Sequence, residues 1–223
     1  GGATQSNSIE FLTIPTLGNM QDFGNTTVST RQGSGFSSST RAVHVGGYDG
    51  SNKLNVIDFV TISSTGDATD FGDLPNALAH AAGISNQTRC IMAGGGGPSG
   101  VTNAITFVTT ASTGNALDYG DLSDQKMTPA SVSSSTRAIW TRSGTSPTPG
   151  SVMEFTNIRS TGNTTTFGDG FGSRDMNGGQ SSSTRGMWAG QYSSTNTIAF
   201  ITMASTGNTT DFGDLTQGRY SMN

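Results

Sequence analysis

Cysteine is all but missing from this chain. Cys90 stands alone among 223 residues, so an intrachain disulfide is impossible and a cysteine-rich metal site is excluded. Histidine is nearly as scarce, with only His44 and His80. Neither a paired-His metal centre nor a Cys–Tyr cofactor is readily assembled from this inventory, and no catalytic or metal-ligating residue is assigned. Charged residues make up 12% of the chain, with a net charge of −4 and a pI near 4.9. The arginines are spread one per repeat and form no basic cluster, which argues against a phosphate-binding surface and against nucleic acid as partner. No apolar run approaches the length of a membrane span, and nothing reads as a signal peptide, so no membrane insertion is expected. The opening Gly1-Gly2-Ala3-Thr4 carries no initiator Met, suggesting a processed or trimmed piece of something longer.

What the chain has instead is glycine, 32 residues of it, and a period. The phrase Ser-Thr-Gly-Asn/Asp, followed five residues on by an aromatic, has its glycines at Gly66, Gly114, Gly162 and Gly207, with a degenerate first copy at Gly18. The spacing is 48 residues three times and then 45. A second phrase, ending in Thr-Arg, recurs at Arg41, Arg89, Arg137 and Arg185, each 48 residues apart. A period in the forties with Gly-Gly punctuation indicates stacked copies of one small β unit.

Aligned on Phe11, Phe59, Phe107, Phe155 and Phe200, each copy opens with an alternating segment such as Ile57-Asp58-Phe59-Val60-Thr61-Ile62. Period-two alternation with β-branched and aromatic residues is the strand signal. Apolar residues on both faces predict a strand sandwiched between two layers. A Thr-Gly-Asn/Asp turn follows, then a short strand ending at Phe23, Phe71, Tyr119, Phe167 or Phe212. A polar stretch such as 75–83 is read as a close-packed strand, and the Thr-Arg segment as an apolar strand closing in Gly or Gly-Gly. Four strands per unit follow.

These features resemble the kelch repeat. Gly46-Gly47-Tyr48-Asp49-Gly50, then Phe59, then Phe71 follow the kelch order of paired glycines and two aromatics, with Phe where the family prefers Tyr and Trp. The resemblance covers essentially the whole chain and implies a single all-β propeller domain, residues 1–223, with five blades of four antiparallel strands. Full blades are expected at about 29–72, 77–120, 127–168 and 174–213. The strand pair 8–24 and a stub at 218–223 would together make the fifth, completed by both termini. The wording STGNTTDFGDL followed by SSSTRGMWAG also resembles repeats of bacteriophage structural and tail-fibre proteins, which implies a virion or extracellular setting.

Residues that recur once per unit solve a problem once per unit. The four arginines and Asp73, Asp121, Asp169 and Asp214 are therefore read as structural, and Arg–Asp pairing would satisfy both sets. His44, Met92, Trp140 and Trp188 share one strand position and are expected to pack between blades. Cys90, in an apolar strand, reads as an inert buried thiol. Asn25, Asn86, Asn163 and Asn208 head Asn-x-Thr sequons and are expected to be bare.

The connection after the Gly-Gly strand varies most: residues 46–55, 94–103, 142–151 and 190–196. Variable loops on a repeated frame are where a binding function sits. Tyr48, Asp49, Asn52, Lys53, Arg142, Tyr192 and Asn196 are its sugar-compatible groups, with flat rings for stacking and short amides and carboxylates for hydroxyl contacts. The expectation is a non-enzymatic recognition module without cofactor, a tail-fibre-type adhesin for cell-surface glycan whose display in several copies supplies avidity. The alternative is a structural or protein-interaction propeller that decorates or bridges a virion or extracellular assembly.

Overall fold

The computed structural model describes residues 5–127, 129–141, 151–171, 179–190 and 195–219. Every regular element among them is a strand. β1 (Ser6–Phe11) and β2 (Gln21–Thr30) form a lone hairpin, called here unit 0. Unit 1 is the antiparallel sheet β3 (Ser34–Ser37), β4 (Arg41–Val45), β5 (Val56–Thr61) and β6 (Thr69–Asp73). Unit 2 is β7 (Ala82–Ser85), β8 (Arg89–Ala93), β11 (Ala104–Thr109) and β12 (Leu117–Asp121), with a two-residue pair β9 (Gly96–Gly97) and β10 (Gly100–Val101) in its loop. Unit 3 is β13 (Ser131–Ser133), β14 (Arg137–Trp140), β15 (Val152–Asn157) and β16 (Thr165–Asp169). Unit 4 is β17 (Gly179–Ser181), β18 (Arg185–Ala189), β19 (Thr197–Thr202) and β20 (Thr210–Asp214). Four antiparallel meanders of four strands are thus strung on one chain.

The first strand of each unit is not the polar stretch 75–83. It lies later, at Ala82–Ser85 in unit 2, while 75–81 forms an irregular crossover tied down by the Ala79–Gly96 bridge. The cause is the Ser-rich phrase that follows. The Ser38 hydroxyl accepts the backbone N–H groups of Thr40 and Arg41, and the Asn86 side chain accepts those of Thr88 and Arg89. Ser134 and Ser182 repeat this. Such side-chain caps fix a tight turn, which pairs the residues just before it with the Thr-Arg strand.

Each outer hairpin carries the same bulge. Ile57 faces Gly72 and Asp58 faces Asp70, leaving Phe71 as the extra residue. The bulge turns Phe71 toward Phe59, edge to face at 5.7 Å. The same pair recurs as Phe11–Phe23, Phe107–Tyr119, Phe155–Phe167 and Phe200–Phe212, so unit 0 is built as the outer half of the other units.

Successive units lock through one repeated joint. The bulge glycine Gly72 has φ +144 and lies so close to the next unit's turn that an added Cβ would sit 2.5 Å from the Gly114 carbonyl oxygen. There the Gly114 N–H donates to the Phe71 carbonyl at 2.7 Å, the Ala116 N–H to the Asp73 carbonyl at 2.8 Å, and the Asp73 N–H to the Asn115 side chain at 3.0 Å. Gly24 with Gly66, Gly120 with Gly162 and Gly168 with Gly207 repeat the approach, with Asp67, Asn163 and Asn208 accepting the corresponding N–H. The Ser-Thr-Gly-Asn/Asp phrase is therefore both a hairpin turn and a latch onto the preceding unit.

The core fills the spaces between sheets. Val43, Ile57 and Phe71 of unit 1 pack on Cys90, Met92, Val108 and Ala116 of unit 2. Ile91, Ile105 and Tyr119 of unit 2 pack on Ala138, Trp140 and Ile158 of unit 3, and Met153 and Phe167 of unit 3 pack on Trp188, Ile201 and Met203 of unit 4. Units 1, 2 and 3 each turn one face toward the next unit, and units 2, 3 and 4 turn the other toward the previous one. Met92, Trp140 and Trp188 lie between sheets, as their shared strand position anticipates.

Among the described residues, Arg41, Arg89, Arg137 and Arg185 form no salt bridge with Asp73, Asp121, Asp169 or Asp214. Arg41, Arg89 and Arg137 each donate through Nη1 to a carbonyl of the following unit, on Thr110, Ile158 and Met203 at 2.9, 3.1 and 2.9 Å. Their guanidinium planes lie over Phe59, Phe107 and Phe155. A carbonyl and a ring face satisfy the cation without a carboxylate.

Candidate functional site

The loop 46–55 is held from within. The Asp49 carboxylate accepts the N–H groups of Ser51 and Asn52 at 2.7 and 2.6 Å, which draw its pKa below the ordinary range, the Asn52 bond first. Tyr48 bridges to Arg31 and Lys53, and the Arg31 guanidinium lies 5.1 Å from the centre of the Tyr48 ring. One ring face is thereby occupied. Lys53 reaches into unit 2, where Nζ donates to the Gly97 carbonyl at 2.7 Å. Burial, and then the Lys53 charge, press the His80 imidazole below its usual value.

The structure thus brings Tyr48, Asp49, Asn52 and Lys53 into one loop. Asn52 is exposed, Asp49 is committed to the turn, and Lys53 ties the loop to its neighbour. Asn196 stands apart in unit 4, where its carbonyl accepts the Leu215 N–H at 2.6 Å. Asn55 and Asn103 make the same bond to Leu74 and Leu122, so position 196 belongs to the frame. Arg142 and Tyr192 lie outside the described residues.

Beside the Lys53–Gly97 contact opens a pocket of about 330 Å³ that sequence reasoning did not find. Pro75, Asn76 and Leu78 of the crossover, the loop 97–102, Thr106 and Gln125 line it. Thr106 is buried, and its hydroxyl has no hydrogen-bond partner among the described residues.

The reason lies in a strand position that differs in every unit. Asp58 and Glu154 occupy it in units 1 and 3, and each reaches back to a backbone N–H of the preceding unit: Thr27 at 2.9 Å and Ser123 at 2.8 Å. In unit 2 the corresponding partner is Pro75, which has no N–H, and the acid is replaced by Thr106. The signal was present in the sequence: a polar residue that changes identity at an interior position of an otherwise repeated strand.

Both acids are well supplied. Burial would raise Asp58, but the His44 hydrogen bond at 3.1 Å and those from the Thr27 N–H and hydroxyl hold its carboxyl below the usual range. Glu154 is likewise opposed by burial and held down by Lys126, with which it forms a buried ion pair, and then by Thr164 and Ser123.

A second cavity, about 650 Å³, lies between the unit 0 hairpin and unit 1, with His44 and Asp58 in its wall. It exists because unit 0 supplies only an outer hairpin. Ala42 and His44 are therefore half-buried, whereas their counterparts Cys90 and Met92 are sealed by unit 1. His44 Nε2 is directed at Gly33, where an added Cβ would lie 2.3 Å away, and no described hydroxyl bonds to the ring. The pair serves the joint to Thr27. Among the described residues, no group of three or more His, Cys, Asp or Glu side chains could hold a metal ion.

The chain matches no protein-family model, and a search of curated protein sequences finds no match to it.

Proposed function

We propose that the chain is a non-enzymatic recognition module that binds cell-surface glycan at the pocket between the 75–78 crossover and the variable loop of unit 2. One observation carries the reading. Two loops of unrelated sequence are tied together by Lys53 and Gly97, and beside them lies a polar-rimmed concavity with Thr106 in its wall, whose buried hydroxyl has no hydrogen-bond partner among the described residues. A small apolar pocket with a few placed polar groups is the usual form of a small-ligand site, and a sugar hydroxyl satisfies an orphaned threonine. The fold proposed with it is a kelch-like array of propeller blades, four complete and unit 0 a half blade, with its head and tail faces left exposed. The setting proposed is a virion or extracellular surface, on the strength of the phage-like repeat wording.

The test is binding of the purified chain to a broad glycan array beside Thr106→Val and Asn76→Ala/Gln125→Ala variants. Selective binding that falls about tenfold or more in both variants is expected, since an unmatched buried polar group is strongly discriminating. Thr106→Val keeps the shape and removes an unpaired hydroxyl, so its stability should hold or rise while binding falls. A blank array from folded protein of the correct size would overturn the reading.

A protein-interaction role is the second reading, favoured by large apolar side chains left exposed at the two ends of the array: Leu12, Ile14, Leu17 and Met20 at one and Phe212 at the other.

A further inference from the structure

The two ends of the array are the two halves of the joint that links every unit to the next. At the tail, Phe212 is 52% exposed, although its counterparts Phe71, Tyr119 and Phe167 are each 2% exposed. Gly213 keeps the bulge conformation, with φ +145, yet an added Cβ there would meet nothing within 4 Å. Its counterparts Gly24, Gly72, Gly120 and Gly168 are all pressed against a following turn. Arg185 stacks on Phe200 like the other arginines on their rings, but it is exposed and, among the described residues, makes none of their bonds to a following carbonyl.

At the head, Leu12 and Ile14 occupy the strand positions of Val108 and Thr110, and Met20 the turn position of Ala116. Those three are buried under unit 1. Ile14 is 90% exposed. Glu10 holds the position of Asp58 and Glu154, but is exposed and makes no such bond among the described residues.

We infer that these faces dock on each other between molecules, the tail of one copy of this chain receiving the head of a second. The occupant is specified by the joint itself, whose glycine latch the chain already makes four times with the same backbone atoms, its arginine bond three times and its acid bond twice. Transposed to the ends, the Gly18 N–H donates to the Phe212 carbonyl, the Met20 N–H to the Asp214 carbonyl, and the Asp214 N–H to the Asn19 side chain. Arg185 meets the Ile14 carbonyl, and Glu10 accepts the Thr216 N–H. Phe212 then covers Leu12 and Met20. Stacked repeat proteins cover such faces with polar caps when they are meant to face water, whereas Leu12, Ile14 and Met20 on one face and Phe212 on the other are exposed here. Because head and tail differ, the contact is heterologous: it propagates until a ring closes or a filament forms.

The experiment is analytical ultracentrifugation of the 223-residue chain from micromolar to sub-millimolar concentration, with Ile14→Asp and Phe212→Asp variants alone and mixed. The wild-type chain is expected to assemble with rising concentration, and each variant to stay monomeric. An equimolar mixture of the two should form a 1:1 dimer and nothing larger, because it contains one intact tail and one intact head. That dimer also shows both variants to be folded. A wild-type chain that remains monomeric throughout overturns the inference, as do a mixture that fails to dimerise and an assembly that survives either substitution. The glycan array is read separately, so either proposal can fail without the other.

Discussion

Asp58 accepts both the backbone N–H of Thr27, at 2.9 Å, and its hydroxyl, at 2.8 Å, so a buried carboxylate in one sheet holds the chain of the unit before it. Asp58→Asn weakens an acceptor shared by three donors and should cost about 1–3 kcal/mol, read by urea unfolding. The same carboxylate sets a pH dependence. Asp58 and Glu154 both titrate below their ordinary values when folded. Their stabilisation is therefore complete above the ordinary carboxylate range and is lost as pH falls through the lowered folded values. The urea midpoint should drop on acidification in the wild type, and drop less in Asp58→Asn.

The joint predicts an asymmetry between glycines of identical local sequence. Gly72→Ala must move the backbone of the Gly114 turn as well as adopt a strained φ, and should cost about 3 kcal/mol or more. Gly213→Ala has the same strain and no neighbour, so its cost should be clearly smaller. Equal losses in the two variants would mean that the close approach at Gly72 contributes nothing.

Lys126 and Glu154 form a buried pair whose acid also serves Ser123 and Thr164. Lys126→Met leaves a buried carboxylate unpaired and should destabilise by about 3–5 kcal/mol. Adding Glu154→Leu removes that charge but orphans the Ser123 N–H, so the double variant should recover only part of the loss. A double-mutant cycle measures both.

Cys90 is fully buried and its thiol is pushed up to about 12 by burial, against a Thr110 contact that lowers it. A thiol reagent at neutral pH should label it only as fast as the protein opens, and at once in denaturant. Rapid labelling of the folded chain would show that the space between units 1 and 2 is open.

The period, the turn and the outer aromatic pair were legible in the sequence because they recur at a fixed spacing, and recurrence is what a scan for repeats detects. The same recurrence marked the arginines as structural but suggested the wrong partner. A carbonyl leaves no trace in a sequence, whereas an aspartate does. Asp58, Thr106 and Glu154 escaped notice because they differ from unit to unit while sharing one position. Their logic emerges only when Thr27, Pro75 and Ser123 are placed opposite them. The loop 46–55 was identified as variable, and Asp49 and Lys53 also hold it in place through bonds that its sequence does not show. The pocket arises from two loops that meet only in three dimensions.

Amide hydrogen exchange tests the repeated joint most directly. The N–H groups of Gly66, Gly114, Gly162 and Gly207 donate across a joint to the carbonyls of Phe23, Phe71, Tyr119 and Phe167, and should exchange slowly. The Gly18 N–H, which awaits the same bond, should exchange fast in dilute protein and slow as concentration rises. Gly114 and Gly162 exchanging as fast as Gly18 would contradict the joint, and a Gly18 amide already protected in the dilute monomer would contradict its open ends.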